Sequence, residues 1–360
     1  MDLRTKEATI ADAEEIVSFH NAAYGDSQKP EHWMWEYRGH YPNLSVFAVI
    51  TDAERIIATQ GMIPVYINVG GRRVLSGKSE NTLSNPDYRG KGVFQGLYEF
   101  AVSMCKLKGM QCVWGFSSSD KALNVLRKCQ FRIYERMMYT AISITSLRYA
   151  PSEILEQGKA GLKERVLRFV GFSLLWLYAS LFRVTCRVPD KGFLVREDLV
   201  RQQDLDDLYQ HFRQVYPGLI HVDLNAEYLH WRVYGHPIFK YKTYFVYEGD
   251  VLRAYAFVNA HNRRHAYLTD FTFESVSAGK VLIQRVLRDM RAEDVGVVTF
   301  FGNQSNPAAK KTFELLRKFG FVKRGWTYFV LRNISFEDER SLFDPTHWYM
   351  NGLWTEGYEM

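Results

Sequence analysis

The stretch Asn85-Pro86-Asp87-Tyr88-Arg89-Gly90-Lys91-Gly92-Val93-Phe94-Gln95-Gly96-Leu97 decides how the rest of the chain is read. A run with strand character ends on Leu83 and Ser84, breaks at Pro86 and crosses a glycine-rich turn. It then enters a segment with Val93, Leu97, Ala101, Met104 and Cys105 at helical spacing. Gly90 and Gly92 permit backbone conformations closed to residues that carry side chains. A helix starting there presents free N–H groups and the positive end of its dipole, with Arg89 and Lys91 beside it. Such a mouth suits a diphosphate. It is not a P-loop, because no Gly-Lys-Ser/Thr closes it, and its glycines at 90, 92 and 96 miss the dinucleotide spacing.

Outward from that turn, 360 residues leave room for two domains of ordinary size, and 47% hydrophobic with 15% aromatic content belongs to a folded protein. The net charge of +6 is spread along the chain, which argues against a nucleic-acid partner and fits an anionic cofactor or surface. Cys105, Cys112, Cys129 and Cys186 have neither CxxC spacing nor a nearby His pair, so no metal site is expected; they read as buried thiols of a reducing compartment. The opening residues lack the apolar core of a signal peptide, so a cytoplasmic enzyme is expected. From Phe169 to Phe182 the chain is almost wholly apolar, between Lys163, Arg165 and Arg168 on one side and Arg183 and Arg187 on the other. That run is shorter than the ~20 residues a bilayer span needs. Two readings remain: a buried helix joining two domains, or a peripheral membrane contact at the inner face.

Taken in order, a cap at Thr9 or Asp12 starts a helix, and Val46 to Ile50 with Ile56 to Gln60 reads as a hairpin. Tyr66 to Val69 with Arg72 to Leu75 reads as another. The strand Glu80 to Ser84 leads into the glycine turn and its helix, then come a strand at Cys112 to Phe116 and a helix at Leu123 to Lys128. After the apolar connector the plan recurs. Trp231, Gly235 and His236 stand in register with Trp35, Gly39 and His40, and Leu315 to Phe321 answers Val125 to Phe131. Such a long period favours two domains over an array. The second copy reads Glu274-Ser275-Val276-Ser277-Ala278-Gly279 where the glycine loop should be, so only the first half is expected to hold a diphosphate.

The turn resembles the acyl-CoA loop of the GNAT N-acetyltransferases, whose pattern is Gln or Arg, two residues, Gly, any residue, then Gly or Ala. Arg89 and Gly92 match, behind Pro86-Asp87-Tyr88, whereas Phe94 departs from the last position, as in the branch that includes the enhanced-intracellular-survival acetyltransferases. The element order is also the one this resemblance implies. The expected fold class is α+β: two tandem GNAT-like domains, each a mixed, largely antiparallel sheet flanked by helices, joined by an apolar helical connector. The expected boundaries are 1–145, 146–192 and 193–360. The resemblance implies acetyl-CoA or another acyl-CoA as co-substrate, with Arg89, Gly90, Lys91, Gly92, Val93 and Phe94 at its diphosphate. Backbone groups of Leu83 and Ser84 are then the expected contacts of pantetheine, on a strand that family members commonly splay with a β-bulge.

Acyl transfer to an amine needs a base, a polarised carbonyl and a protonated leaving thiolate. Glu80 is the one carboxylate on the incoming strand, and alternation puts it on the face of Thr82 and Ser84; it is either the base or a solvated charge. Many family members carry a tyrosine where this chain has Leu126, so Tyr134 and Tyr139 beyond it are the candidates for the acid, or are packing residues. Glu356 or the terminal carboxylate is a second base candidate by resemblance to enzymes that bring the chain end into the site. Trp35, Tyr37 and Trp231 either line an acceptor pocket or belong to the core. The expected activity is acyl transfer from coenzyme A to a primary amine of a small molecule, an amino sugar or a lipid-linked intermediate. A non-catalytic acyl-CoA sensor and a Fem-like aminoacyl transferase are the alternatives, and the intact Arg89 to Gly92 turn argues against the latter.

Overall fold

The computed structural model describes residues 2–25, 27–88, 90–117, 120–148, 162–189, 192–260 and 264–354. In chain order come β1 (Leu3–Glu7), α1 (Ala13–Tyr24), α2 (Pro30–Arg38), β2 (Val46–Asp52), β3 (Arg55–Val69), β4 (Arg72–Ser84) and α3 (Val93–Leu107). Then follow β5 (Cys112–Ser117), α4 (Asp120–Lys128), β6 (Arg132–Ile144), α5 (Leu162–Thr185), β7 (Phe193–Arg196), α6 (Gln202–Val215), β8 (Ile220–Val222) and α7 (Ala226–Leu229). The last part runs β9 (Tyr241–Glu248), β10 (Val251–Asn259), β11 (His265–Phe273), α8 (Val276–Ala292), β12 (Val297–Asn303), α9 (Pro307–Lys318), β13 (Val322–Asn333) and α10 (Glu339–Phe343).

These elements form two compact units, each a mixed sheet flanked by helices. The first comprises Met1–Met137, Gly218–Ile238 and Thr327–His347, the second Met138–Pro217, Phe239–Trp326 and Trp348–Met360. The first sheet has the order β1-β2-β3-β4-β5-β13, with β8 added on β3. Only β4 and β5 run parallel in it. The second has the order β6-β12-β11-β10-β9-β7, where β11 and β12 are the parallel pair.

The two halves exchange their closing strands, β6 pairing with β12 and β13 with β5. The compact units therefore differ from the sequence-ordered boundaries at 145 and 192. A closing strand adds to whichever open ladder its connection reaches, and no local pattern encodes that choice. The duplication itself is visible in detail. Helices α4 and α9 end with the same bonds, Gln130 N–H to Arg127 O and Gly320 N–H to Arg317 O at 3.1 Å each, followed by Phe131 N–H to Leu126 O at 3.0 Å and Phe321 N–H to Leu316 O at 3.1 Å.

Each core lies between the parallel strand pair and the helix that joins it. On α3 the apolar spacing read from the sequence buries Val93, Leu97, Ala101 and Cys105 against Val46, Ala48, Met62 and Val113. On α8, Leu282, Val286 and Met290 pack on Phe271 and Val298. A fully buried side chain of this kind contributes roughly 1.5–3 kcal/mol. Cys105, Cys112 and Cys129 are buried free thiols, and burial pushes the first two up to about 12. Two local expectations change. A first strand, β1, precedes α1, and the two short hairpins merge into a three-stranded meander, with β3 joining Ile56 to Gln60 with Tyr66 to Val69 and β4 joining Arg72 to Leu75 with Glu80 to Ser84.

Candidate active site

Strand β4 pairs with β5 from Ser76↔Cys112 to Ser79↔Gly115, and the ladder stops there. Past that point β5 still pairs with β13, through Phe116↔Phe329 and Ser117↔Tyr328, while β4 stays on β3 up to Ala58↔Ser84. Among the described residues, the β5-facing edge of Asn81 to Ser84 is therefore left without a strand partner. The cause is a bulge. The register jumps between Thr59↔Leu83 and Gly61↔Glu80, and Asn81 sits at φ 51°, in the left-handed region that asparagine tolerates.

Polar groups from three elements hold that bulge. The Asn81 side-chain amide donates to Glu36 Oε1 and to the Tyr37 hydroxyl, both at 2.8 Å. Its carbonyl accepts from Thr59 Oγ1 at 2.9 Å, and His20 Nε2 lies 2.9 Å from the same hydroxyl. On the other face Gln60 donates to Ser79 Oγ at 3.1 Å and to Glu80 O at 3.3 Å, while Thr82 Oγ1 donates to Gln60 Oε1 at 2.6 Å. Ser79 in turn is hydrogen-bonded to the buried Tyr98 hydroxyl of α3. Burial pushes the His20 imidazole down to about 4, so it is neutral in this chain of bonds. A Cβ on Gly61 would overlap the Tyr37 hydroxyl, so that backbone approach requires glycine.

The bulge corrects one expectation about faces. An extra residue between Glu80 and Leu83 breaks the alternation, so Thr82 turns with Ser79 and Gln60 toward α3 while Glu80 points to the side of α2. Glu80 Oε1 meets the Lys78 ammonium at 2.6 Å; Lys78 is 3% exposed, and the Glu80 side chain keeps 24% of its surface. It is a carboxylate held by a buried cation at the edge of the opened strand.

From Ser84 the chain turns because Asn85 closes on itself. Its N–H bonds Ile57 O at 2.8 Å, its carbonyl accepts from Tyr88 N–H at 3.1 Å, and its side chain accepts from Asp87 N–H at 3.0 Å. Tyr88 anchors the turn by donating to Asp52 Oδ2 at 2.7 Å, and the Lys91 ammonium lies 5.1 Å from the centre of its ring. Gly90 and Gly92 have φ of 78° and 75°, and Gly92 caps α3 with no side chain bonded to the first turn. The N–H groups of Val93 and Phe94 thus stand at a helix mouth with nothing from the cap residue to satisfy them.

The other residues singled out from the sequence fall as follows. Arg89 and Glu356 lie outside the described residues. Tyr37 is buried and reaches the bulge through its hydroxyl rather than presenting its ring. Trp35 and Trp231 stack on one another at 5.2 Å, each indole N–H donating to the other's carbonyl at 3.2 and 2.9 Å. Tyr134 donates to Phe343 O at 2.7 Å. Its hydroxyl is thereby engaged at the C-terminal end of α10. Tyr139 packs edge-on against Phe313. His20, Glu36, Thr59, Gln60, Lys78, Ser79, Asn81 and Tyr98 were not visible as site residues in the sequence.

Residues 4–140 match the family model described as an acetyltransferase (GNAT) domain. No curated protein matches the chain. Among solved structures, a conserved protein of Enterococcus faecalis described as a probable N-acyltransferase superposes with a TM-score of 0.62 at 10% identity, over 93% of this chain and 73% of its own. A GCN5-related N-acetyltransferase from Kribbella flavida gives 0.59 at 12%, over 92% and 72%. A tandem GNAT protein from the clavulanic acid biosynthesis pathway gives 0.59 at 12%, over 94% of this chain and 100% of its own. At such identities the likeness is one of fold, and the family and fold together support an acyltransferase function. Residues 4–140 thus resemble a GNAT acetyltransferase domain, in a chain that has the fold of a tandem GNAT protein.

Proposed function

We propose that the chain is an N-acyltransferase that moves an acyl group, acetyl in the first instance, from coenzyme A to a primary amine. The observation that carries this reading is the continuous path from the edge of Asn81 to Ser84, which lies past the last β4–β5 pair, through the Asn85 turn, to the uncapped mouth of α3 at Gly92. In this reading the amides from Gly90 to Phe94, with Lys91 and Arg89, hold the diphosphate. The backbone of Leu83 and Ser84 takes the pantetheine arm as a strand would. The amine nitrogen attacks the thioester carbonyl, Glu80 takes the amine proton, the C–S bond breaks, and that proton passes to the sulfur, which leaves as the thiol. Lys78 holds the Glu80 carboxylate in its partly buried position, and Glu36, Tyr37 and Thr59 fix the bulge that opens the edge. The acceptor is an amine of a small molecule, an amino sugar or a lipid-linked intermediate. For the last of these, residues 169–182 are the segment suited to a membrane contact.

Calorimetric titration with coenzyme A tests the donor site. A Gly92→Val chain must place a β-branched residue at φ 75°, and its affinity is expected to fall at least tenfold, or about 1.4 kcal/mol. Unchanged binding would refute the assignment. Thiol release with a panel of amines separates an enzyme from a sensor, which would bind acetyl-CoA and release none.

A further inference from the structure

Helix α5 has no charged residue between Arg168 and Arg183 and is apolar on every side, yet among its described side chains Ala179 is the only buried hydrophobic one. Leu167 (72% exposed), Leu174 (60%), Leu181 (62%) and Val184 (75%) face water, as do Val166, Phe169, Val170 and Leu177. A helix apolar all round belongs in a core or in lipid, and a contiguous surface of this kind marks a contact. Its C-terminal part is fixed: Gly320 sits so close to Ala179 that a Cβ would collide with it, and Arg183 Nη2 donates to Ile144 O at 2.8 Å. Its N-terminal part stands off the second unit's sheet. The space behind it is a cavity of about 1160 Å³, walled by Leu167, Phe172 and Leu175 on the helix and by Ile142, Val297 and Val322 on the strands. Arg168, Arg324 and His265 line the same cavity, and among the described residues no carboxylate does.

Lys163–Thr185 is long and apolar enough to cross a membrane by length and composition. Two observations place it in the plane of an interface instead. The uncharged run between Arg168 and Arg183 extends only ~21 Å at 1.5 Å per residue, against a hydrocarbon core of ~30 Å. Docking at Gly320 and Ile144 further ties one end to the protein surface. The charge is complementary to anionic headgroups. Lys163, Arg165 and Arg168 stand at one end and Arg183 and Arg187 at the other, with Glu164, bonded to Arg168 at 2.5 Å, the one acidic residue among them. Each basic side chain near such a surface adds to the attraction, and Trp176 and Tyr178 are of the residue types that settle at headgroup level.

We propose that α5 lies in the surface of an anionic lipid membrane and that the cavity behind it takes an acyl chain of one anionic lipid, whose phosphate is held by Arg168 and Arg324. This rests on the acyltransferase reading only in making a lipid-linked amine the favoured acceptor; lipid capture itself does not depend on it.

Flotation of the full chain with vesicles tests the proposal. Vesicles of phosphatidylglycerol and phosphatidylcholine should carry the protein, vesicles of phosphatidylcholine alone should not, and raised salt should release it. Leu174→Glu with Leu181→Glu changes exposed positions and should cut the floating fraction at least tenfold, with the melting temperature and acetyl-CoA binding unchanged. Gly171→Trp fills the cavity at a residue whose Cβ would meet nothing within 4 Å. It should lower phosphatidylglycerol retained by the protein, read by native mass spectrometry, at least fivefold. Equal flotation with both vesicle types, or none, overturns the membrane contact. So does a wild-type dimer in gel filtration that the double variant makes monomeric, because a second copy would then cover the helix. Lipid retention indifferent to Gly171→Trp overturns the cavity assignment. Loss of thiol release with flotation intact would strike the enzymatic reading alone.

Discussion

The two parallel strand pairs of this chain fork in the same way and are then treated differently. In the first unit β4 leaves β5 after Ser79↔Gly115, and in the second β11 leaves β12 after Leu268↔Phe300, each beside a register jump on the neighbouring antiparallel strand. The second fork is filled by the chain's own end. Asn351 bridges to Gly302, Asn303 N–H donates to Met350 O at 3.2 Å, and Met350 N–H donates to Asn303 Oδ1 at 3.1 Å. Gly352 packs on the Thr269 backbone, and Trp348 and Trp354 are buried. The helix mouths differ too. Ser275 caps α8 by accepting from Ala278 N–H at 3.2 Å, whereas Gly92 leaves α3 without a side-chain cap. One residue past the last parallel pair stands Glu80 in the first unit and Thr269 in the second. The comparison teaches that the scaffold produces an unpaired edge and a helix mouth wherever it is built. What distinguishes the two halves is whether the protein satisfies those groups itself.

The largest expected effect lies at the one carboxylate that the second fork lacks. Glu80→Gln should lower kcat by roughly 10²–10⁴ with coenzyme A affinity unchanged, the usual share of a general base. A loss under tenfold in amine acylation would remove Glu80 from the proton path. Next comes the plug. Trp348→Ala deletes a buried indole beside the second fork and should cost about 3–5 kcal/mol in urea denaturation. A cost below about 1 kcal/mol would mean that the fork does not need its filling.

What the sequence made legible were features carried by local pattern. The glycine turn and the apolar spacing of α3 stand where Asn85 to Leu97 placed them, and the repeat at Val125 and Leu315 reappears as matching helix ends. Non-local features were hidden. Strand β1 is Leu3-Arg4-Thr5-Lys6-Glu7, mostly exposed, and it is a strand because β2 offers it an edge. The exchange of β6 and β13 leaves no mark on either strand. The bulge at Asn81 is one extra residue, and one extra residue was enough to turn Thr82 away from the face of Glu80. Buried polar groups such as Lys78, Glu36 and His20 give no periodic signal, because a polar residue looks the same in sequence whether it is solvated or held in a network.

Inside the filled fork, Asp270 is 1% exposed and accepts from Tyr255 at 2.9 Å and Thr272 at 3.0 Å. Burial pushes its carboxyl up to about 7 against those hydrogen bonds and one from Asn351, which pull it down. The folded state then holds this proton more tightly than the unfolded chain. Its stabilising contribution is greatest at low pH and declines as pH rises through the window from about 4 to about 7, by at most ~1.4 kcal/mol per unit. His20 and His40, whose imidazoles burial pushes down to about 4, act with the opposite sign, so the comparison must be with Asp270→Asn. Between pH 5 and pH 8 the wild type should lose stability relative to that variant in urea titrations. Parallel profiles would mean that the proton is not retained.

The smallest effect bears most directly on the difference between the helix mouths. Ser275 has φ −109° and ψ 145°, the extended conformation from which a cap side chain can turn back to its helix, and Ser275→Ala should cost about 1 kcal/mol. Gly92, at φ 75° and ψ −2°, could not be made into the same cap by Gly92→Ser, because the side chain would leave the backbone in another direction. The two mouths therefore differ in backbone as well as in side chain, and freeing the α8 amides by Ser275→Ala should create no coenzyme A site. Calorimetry on Ser275→Ala in a chain already carrying Gly92→Val isolates the second mouth. Heat from coenzyme A there would show that the missing cap alone made the first mouth a donor site, and that its glycine turn and open edge are incidental.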